Sequence, residues 1–374
     1  MAITYLDHAA STPMRERAIA SMVPYFGEMY ANPSGSHRFA RAARQAIDEA
    51  RDDVADVLGV APGSVIFTSC GTEADNTVLA GVSGGAVCSA AEHHAVLHPI
   101  EHRGDGVVVG TDAFGRIDLD RLADACADPS VGVVSVMTVN NEVGAISDMA
   151  AVAAVVREVA PQAVLHTDAV QAPCWVDVRD IAPLVDAMSF SAHKFGGPKG
   201  VGVLTLAPGV AVDPLIVGGG QERERRSGTH NVAGIVGLAT ALVETDRDRD
   251  GELQRIAALR DRLVDALVGS IDGVVETVPR DHKVAGSAHV CISGVENEAL
   301  LFLLDEADVC ASAASACASG AMEPSHVLAA MGVDRELALG ALRLTLGHTT
   351  TESDVDRAAD VVVDAVGRLR RGVS

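Results

Sequence analysis

The sequence contains few aromatic residues, which make up 3% of its 374 positions. Aliphatic side chains must therefore fill the core. A hydrophobic share of 48% supplies enough of them for two ordinary domains, or for one large domain with a smaller companion. Positive charge is also scarce, since the net charge is −22. Such an acidic surface repels phosphate backbones, and we expect no direct nucleic-acid partner.

Signals for export, membrane insertion and disulfide cross-linking are missing as well. The N-terminus has neither the basic n-region nor the apolar h-region of a signal peptide. No apolar run reaches the roughly 18 residues of a membrane span without a break, so no membrane association is expected. The seven cysteines are odd in number and form no Cys-x-x-Cys pair. We therefore expect free thiols and a cytoplasmic location.

Short apolar runs alternate with helical patterns over the first 250 residues. Seven strands are predicted at residues 65–69, 86–90, 106–110, 132–139, 163–169, 187–191 and 202–206, and helices at 72–80, after Asp118 and at 149–159. Near-continuous β-branched runs between helices are typical of a mostly parallel sheet that is covered on both faces. The predicted class is therefore α/β.

Polarity rises sharply at residues 244–252, and a helix pattern follows at 253–267. We place a domain boundary there, which gives a large domain of residues 16–250. Residues 1–15 and 251–374 are predicted to form a smaller α+β domain. Its elements are strands at 274–278 and 289–293, a helix at 298–305 and a closing amphipathic helix at 354–370.

Two ionisable residues stand at the predicted carboxyl ends of buried strands, where α/β sheets bind ligands. Lys194 follows strand 187–191 among small residues, and desolvation there would lower its pKa and free the amine. Asp168 ends strand 163–169 and precedes Lys194 by 26 positions. The alternatives are a solvated loop lysine and a helix-capping aspartate.

An anion site is predicted where strand 65–69 meets helix 72–80, because Gly71 and Thr72 would offer backbone amides at a helix start. Ser191 and His193 could complete this cradle. A lysine, an acid for a pyridine nitrogen and a phosphate cradle are the three features that pyridoxal phosphate requires of a protein. Gln171 lies three residues after Asp168 and could bond the ring hydroxyl.

His93 follows strand 86–90 and could stack on a pyridine ring and move protons. A competing interpretation is a metal site, because His94, His98 and His102 recur every four residues. Pro99 is expected to interrupt that run, and no cysteine or carboxylate spacing supports a site. We therefore expect no metal.

Residues 311–321 read ASAASACASGA, and nine of these eleven are serine or alanine. Without a large apolar anchor the stretch is predicted to be a mobile loop. A thiol on such a loop is a candidate nucleophile, which selects Cys317, with Cys310 as the nearest rival. Arg343 lies in an otherwise apolar strand and needs an anionic partner, either a substrate carboxylate or an acidic side chain of this chain.

Together these motifs resemble those of the NifS/IscS-type cysteine desulfurases of group I, which are class-V aminotransferases of the fold-type I pyridoxal-phosphate enzymes. The resemblance runs nearly end to end. The most specific segments are residues 189–194 with 197–200, 139–144, 226–229, 315–319 and 323–328, together with 5–13 and 31–37.

The resemblance implies a role for each candidate residue. Lys194 is the Schiff-base lysine, Asp168 pairs with the pyridine nitrogen, His93 stacks on the ring, Asn141 and Gln171 contact ring substituents, Gly71, Thr72, Ser191 and His193 hold the phosphate, Thr229 reaches the phosphate of the other subunit, Arg343 binds the substrate carboxylate with Asn32 and Asn141, and Cys317 carries the persulfide. A homodimer follows from the role of Thr229.

The implied reaction converts L-cysteine to L-alanine and passes the sulfur to Cys317, for delivery to an acceptor protein in iron–sulfur cluster assembly, tRNA thiolation or another pathway. Selenocysteine lyase, cysteine-sulfinate desulfinase and aminotransferase activities on the same fold remain alternatives. Cys70 and Gly71 depart from the glycine and alanine that are usual in this family, and both positions flank the predicted phosphate site.

Overall fold

The computed structural model describes residues 3–313 and 324–372. Cys317 and most of the predicted 311–321 loop therefore lie outside the described residues. The elements follow in chain order: β1 Thr4–Tyr5, α1 Glu16–Met22, α2 Arg38–Leu58, β2 Val65–Thr68, α3 Gly71–Gly81, β3 Gly85–Ser89, α4 His94–Arg103, β4 Gly106–Val109, α5 Leu119–Cys126, β5 Val131–Ser135, α6 Met149–Val159, β6 Val164–Asp168, β7 Ala187–Ser191, β8 Gly202–Leu206, α7 Val232–Ser270, β9 Val274–Glu276, β10 Ser287–Ile292, α8 Asn297–Glu306, β11 Val309–Cys310, α9 His326–Ala330, α10 Arg335–Ala338, β12 Ala341–Thr345 and α11 Glu352–Gly372.

A seven-stranded sheet organises the first two thirds of the chain, in the order β2-β8-β7-β6-β5-β3-β4. Strand β8 runs antiparallel to both of its neighbours, and the other pairings are parallel. The predicted α/β class and the mostly parallel sheet are confirmed. Parallel strands end at one edge of the sheet, so the loops that follow β3, β5, β6 and β7 converge there.

Both faces of this sheet are buried, as the continuous apolar runs predict. Consecutive residues of β5 show the alternation, because Val133 packs into one core cluster and Val134 into the cluster on the opposite face. Phe190 and Leu204 make the same division on β7 and β8. Helices therefore cover both faces, and polar chemistry is confined to the edge.

A second core forms around the three-stranded antiparallel sheet β12-β10-β9. It takes Leu6 from the N-terminus and apolar residues between Ile256 and Val366. Trp175, the one tryptophan in the sequence, packs against both cores. The division into a large domain of residues 16–250 and a small domain of residues 1–15 and 251–374 stays a prediction.

Three local predictions were wrong. Helix α7 starts at Val232, so the polar run 244–252 lies inside it, where Arg249 pairs with Asp246 one turn away. Ion pairs of this spacing stabilise a helix. The segment is therefore helical, although its composition is typical of a linker. The strand predicted at residues 132–139 ends at Ser135, and helix α4 continues through Pro99.

Among the helices of residues 3–313 and 324–372, none has the length and apolar character that a bilayer crossing requires.

Candidate active site at the carboxyl edge of the large sheet

The loops at the carboxyl edge of the seven-stranded sheet enclose a cavity of about 600 Å³. Its lining residues come from the start of α3, the turns after β3 and β5, and the ends of β6 and β7. They are Cys70, Gly71, Thr72, Asp75, His93, Met137, Asn141, Asp168, Val170, Gln171, Ser191, His193 and Lys194. Nine of the predicted site residues therefore share one cavity, although they span 124 positions of the sequence (71 to 194).

Lys194 lies in the single turn that follows β7, and its Nζ reaches back to the N-terminal segment. Nζ donates hydrogen bonds to the carbonyl oxygens of Ala9 at 2.6 Å and Ala10 at 3.0 Å. Burial and, to a lesser extent, the positive charge of Arg343 lower the pKa of Lys194 to about 8, while Asp168 and Asp7 oppose the shift. The amine is therefore available as a nucleophile or base close to neutral pH.

Asp168 is the last residue of β6, and only 5% of its surface is exposed. Its Oδ1 accepts the amide hydrogen of Val170 at 2.9 Å, which is a turn contact, because residues 169–176 form no helix. Burial raises the pKa of Asp168 to about 6, against the lowering effects of that amide and of Lys194. A carboxylate held at this depth can form a strong ion pair with a protonated heterocycle.

Helix α3 begins at Gly71 and directs its first amides into the cavity. Cys70 caps it, with Sγ accepting the amide hydrogen of Glu73 at 3.4 Å. A Cβ on Gly71 would lie 2.7 Å from Val170 Cγ2, which is closer than atoms can pack. Glycine at position 71 is therefore matched to valine at position 170, and the backbone amides stay open for an anion.

Two histidines flank the lysine. His93 caps helix α4, and its Nδ1 accepts the amide hydrogen of Ala95 at 3.1 Å, which leaves Nε2 to carry the ring proton. Burial lowers the pKa of His93 to about 4, and Lys194 adds to the shift. The pKa of His193 is lowered to about 4 by the same two causes. Both rings are therefore neutral at pH 7.

Asn141 and Gln171 also line the cavity. The side chain of Gln171 donates from Nε2 to the carbonyl oxygen of Ala9 at 2.8 Å. The same carbonyl oxygen accepts from Lys194, so the N-terminal segment ties these two residues together. The 5–13 segment noted in the sequence thus forms part of the site floor.

Arg343 on β12 approaches the site from the second core. Its Nη2 lies 2.7 Å from Asp7 Oδ1, and its Nη1 donates to the carbonyl oxygen of Asn141 at 3.0 Å. The acidic partner left open by the sequence is therefore Asp7 in this structure. Within residues 3–313 and 324–372, the buried Nε of Arg343 has no hydrogen-bond partner.

Both described ends of the segment that contains Cys317 are fixed beside this site. Ser312 exchanges two backbone hydrogen bonds with Arg343, at 3.1 and 2.7 Å. On the other side, His326 Nε2 lies 2.9 Å from the carbonyl oxygen of Glu92, the residue before His93. Ser325 donates to Glu142, the residue after Asn141. The intervening residues, Cys317 among them, are outside the described part of the chain.

Three predicted residues among the described ones do not line the cavity of the single chain: Arg343, which approaches from β12, and Asn32 and Thr229. Asn32 and Thr229 are both exposed. The loop that holds Thr229 is nevertheless tied to α3, because Arg226 pairs with Glu73 at 2.8 Å.

Sequence reasoning missed two buried acids, Asp75 and Glu92. Asp75 lines the cavity from α3, and Glu92 precedes His93. Asp75 lies within the predicted helix 72–80 and Glu92 directly precedes His93, so the available signal was a charged residue in an otherwise small or apolar run.

The histidine run on α4 does form a cluster, with the ring centroids of His94 and His98 4.6 Å apart and those of His94 and His326 at the same separation. The rings of His94 and His98 stack face to face. Within residues 3–313 and 324–372, no three histidine, cysteine or acidic side chains are arranged to hold a metal ion.

Comparisons with known proteins agree with the geometry. The aminotransferase class-V family model matches residues 4–358. An IscS-like cysteine desulfurase of Mycobacterium tuberculosis is 43% identical, covering 99% of this chain and 98% of that relative. The cysteine desulfurase IscS of Methanosarcina thermophila is 38% identical, with coverages of 98% and 92%. The solved structure of a NifS-like protein superposes with a TM-score of 0.91 at 33% identity, covering 98% of this chain and 100% of that one.

Proposed function

This chain belongs to the class-V aminotransferases and, within them, to the IscS-like cysteine desulfurases, and from that premise we propose which of its residues perform the reaction. The enzyme takes sulfur from L-cysteine and leaves L-alanine. We assign the carbon chemistry to the residues around Lys194 and the receipt of sulfur to Cys317.

The cavity fits pyridoxal phosphate as the cofactor. Gly71 and Thr72 begin α3 and line the cavity, so their backbone amides can hold a phosphate, with Ser191 and His193 beside them. A Cβ at position 71 would collide with Val170, which favours glycine there. Lys194 would hold the cofactor covalently and Asp168 would pair with its ring nitrogen. His93, Asn141 and Gln171 would contact the ring and its substituents. When bound, the cofactor supplies an electron sink for the carbanion formed at the substrate Cα.

The chain itself supplies binding and proton transfer. Arg343 would bind the substrate carboxylate through its guanidinium, whose Nη2 is paired with Asp7 in the structure. Lys194, whose pKa is about 8, removes the Cα proton and returns it to the carbon fragment. His93 carries a proton at Nε2 and serves as a second donor.

Sulfur transfer is assigned to Cys317. Its thiolate attacks the substrate sulfur, so that a sulfur–sulfur bond forms while the carbon–sulfur bond breaks. The electron pair of the broken bond stays with the carbon fragment, which takes up protons and leaves as alanine. The observation that carries this assignment is the anchoring of Ser312 to Arg343 and of His326 beside His93, at the two ends of the Cys317 segment.

The assembled enzyme is proposed to be a homodimer that delivers sulfur to an acceptor protein in the cytoplasm. Thr229 of each copy would contact the cofactor phosphate of the other, which accounts for its exposure in the single chain. Asn32, also exposed, would join Arg343 at the substrate carboxylate. The large exposed side chains Phe26 and Tyr30 precede Asn32 and offer apolar area for the subunit interface.

The test compares wild type with Cys317→Ala in the presence of L-cysteine. Wild type should form alanine without a keto-acid acceptor, and the peptide that contains Cys317 should gain the mass of one sulfur atom. Cys317→Ala should keep the cofactor absorbance and lose the persulfide. Cys310→Ala is the matched control and should behave as wild type.

The result that would contradict the role of Cys317 is full-rate formation of alanine by Cys317→Ala. That outcome would favour lyase or desulfinase chemistry. A requirement for a keto acid would favour transamination.

A further inference from the structure

Three carboxylates lie buried at the base of the cavity or directly behind it. The exposed fractions of Asp75, Glu92 and Asp168 are 1%, 0% and 5%. Only Asp168 has a role in the proposed reaction. Three negative charges in a site that excludes water would repel one another strongly, so the charge state of the other two bears on the chemistry.

Asp75 forms no ion pair with a lysine or arginine of the described residues. Within that part of the chain its Oδ1 has no hydrogen-bond partner, and its ion-pair contact is His166 Nε2 at 3.6 Å. That ring is engaged by Ser135 at Nδ1 and by Ser189 at Nε2. Burial lowers the pKa of His166 to about 3, so the ring stays neutral and supplies no positive charge.

Glu92 is in the same situation. Its Oε1 accepts the amide hydrogen of Met137 at 2.6 Å, while the buried Oε2 has no hydrogen-bond partner among the residues that the structure describes. His326 approaches only the backbone carbonyl of Glu92. Among the ion pairs of residues 3–313 and 324–372, none joins Glu92 to a lysine or arginine.

Two contacts of Asp168 favour its charged form and oppose the effect of its burial. It accepts a backbone hydrogen bond from Val170, and Lys194 acts on it electrostatically. Burial and the charge of Asp168 raise the pKa of both Asp75 and Glu92 well above the usual values. A hydrogen bond with Ser189 opposes the shift of Asp75, and the amide of Met137 opposes that of Glu92, without cancelling either shift. The other titratable groups that act on Asp75 are Glu92 and Cys70, and neither supplies a positive charge.

We propose that Asp75 and Glu92 keep their protons at neutral pH, so that Asp168 is the only ionised carboxylate in this part of the site. They are positioning residues that act through Asp168. A second ionised acid beside Asp168 would drive a proton onto it and abolish its ion pair with a ring nitrogen. The inference rests on the proposed function for its purpose, although the protonation states can be measured without turnover.

Infrared spectroscopy of the full-length protein near pH 8 tests the proposal, because a protonated carboxylic acid has a carbonyl stretch that a carboxylate lacks. Wild type should show this absorption from two buried acids. Asp75→Asn should remove one contribution and Glu92→Gln the other. Asp168→Asn, the matched control, should leave both. The measurement is made with and without cofactor, so failure of the proposed reaction would not affect its outcome.

A spectrum without any protonated-acid band, or a band that disappears in Asp168→Asn and survives in the other two variants, would overturn the proposal. Unfolding measurements give a second readout. An acid with a raised pKa stabilises the fold fully below its unfolded pKa, and that contribution is lost as the pH rises toward the folded pKa. The stability of Asp75→Asn relative to wild type should therefore increase from about pH 4 upward. A constant difference across that range would contradict a protonated Asp75.

A functional readout separates positioning from mere structure. The amide of Asn matches the protonated acid in charge and shape, so Asp75→Asn should retain kcat within about twofold and keep the cofactor absorbance. Asp75→Lys places a positive charge next to the Asp168 carboxylate. This charge should compete with the cofactor ring nitrogen for Asp168 and shift the pH profile of the cofactor absorbance. Equal pH profiles for both variants would show that the charge at position 75 does not reach Asp168.

Discussion

The large sheet and the small sheet contribute to the active site in different ways. At the carboxyl edge of the seven-stranded sheet, Asp168, His93 and Lys194 each follow a different strand and each is fixed by backbone hydrogen bonds. The three-stranded sheet contributes one guanidinium, that of Arg343, and holds Ser312 at the entry to the Cys317 segment. The residues assigned to the chemistry at the substrate Cα therefore lie on the seven-stranded sheet, whereas those assigned to substrate binding and sulfur transfer depend on the three-stranded sheet.

We call the site residues at the edge of the seven-stranded sheet the first region, and Arg343 with the Ser312 anchor on the three-stranded sheet the second region. Substituting Arg343 should affect the second region and leave the first intact. Arg343→Gln removes a charge-assisted pair with the substrate carboxylate, a loss of about 1.5–3 kcal/mol that raises KM for cysteine roughly 10- to 100-fold. The cofactor absorbance and kcat should change little. Steady-state kinetics with a spectrum of the resting enzyme checks both.

Asp7→Asn is the matched variant, because Asp7 occupies the guanidinium in the structure. Removing that competing charge should lower KM for cysteine. A loss of cofactor absorbance in Arg343→Gln would contradict the separation of the two regions.

A pH measurement addresses the first region alone. Because burial lowers the pKa of Lys194 to about 8, the share of unprotonated amine rises with pH up to that value and levels off above it. The rate at which the cofactor-free enzyme captures pyridoxal phosphate should therefore rise about fivefold from pH 7 to pH 8 and little beyond pH 9. A rate that keeps rising tenfold per pH unit toward pH 10 would indicate an ordinary solvated lysine.

Much of the first region could be predicted from the sequence, because its strands are short apolar runs whose ends are marked by polar residues. Asp168 and Lys194 were found as such ends, and the strands that carry them agree with prediction to within one residue at each end. The strand predicted through residue 139 was too long, since the apolar run continues past Ser135 although the chain leaves the sheet there.

The second region could not be predicted in the same way, because its geometry depends on contacts between residues far apart in the sequence. The partner of Arg343 lies 336 positions away at Asp7, so spacing could not identify it. Asp75 and Glu92 were missed for a related reason, because each acid has significance only through its burial next to Asp168. The start of helix α7 was predicted too late in the sequence. A charged run usually indicates an exposed linker, but Arg249 in this run is buried and pairs with Asp246 within the helix.

The central claim is that Lys194 holds the cofactor, and the sequence makes this directly testable because it contains only three lysines, at positions 194, 199 and 283. Borohydride reduction of the purified enzyme fixes the cofactor to the lysine that binds it, and peptide mass analysis then identifies that residue. The account predicts the adduct on Lys194 alone. An adduct on exposed Lys199, or on Lys283, which pairs with Glu276 at 2.7 Å, would contradict it.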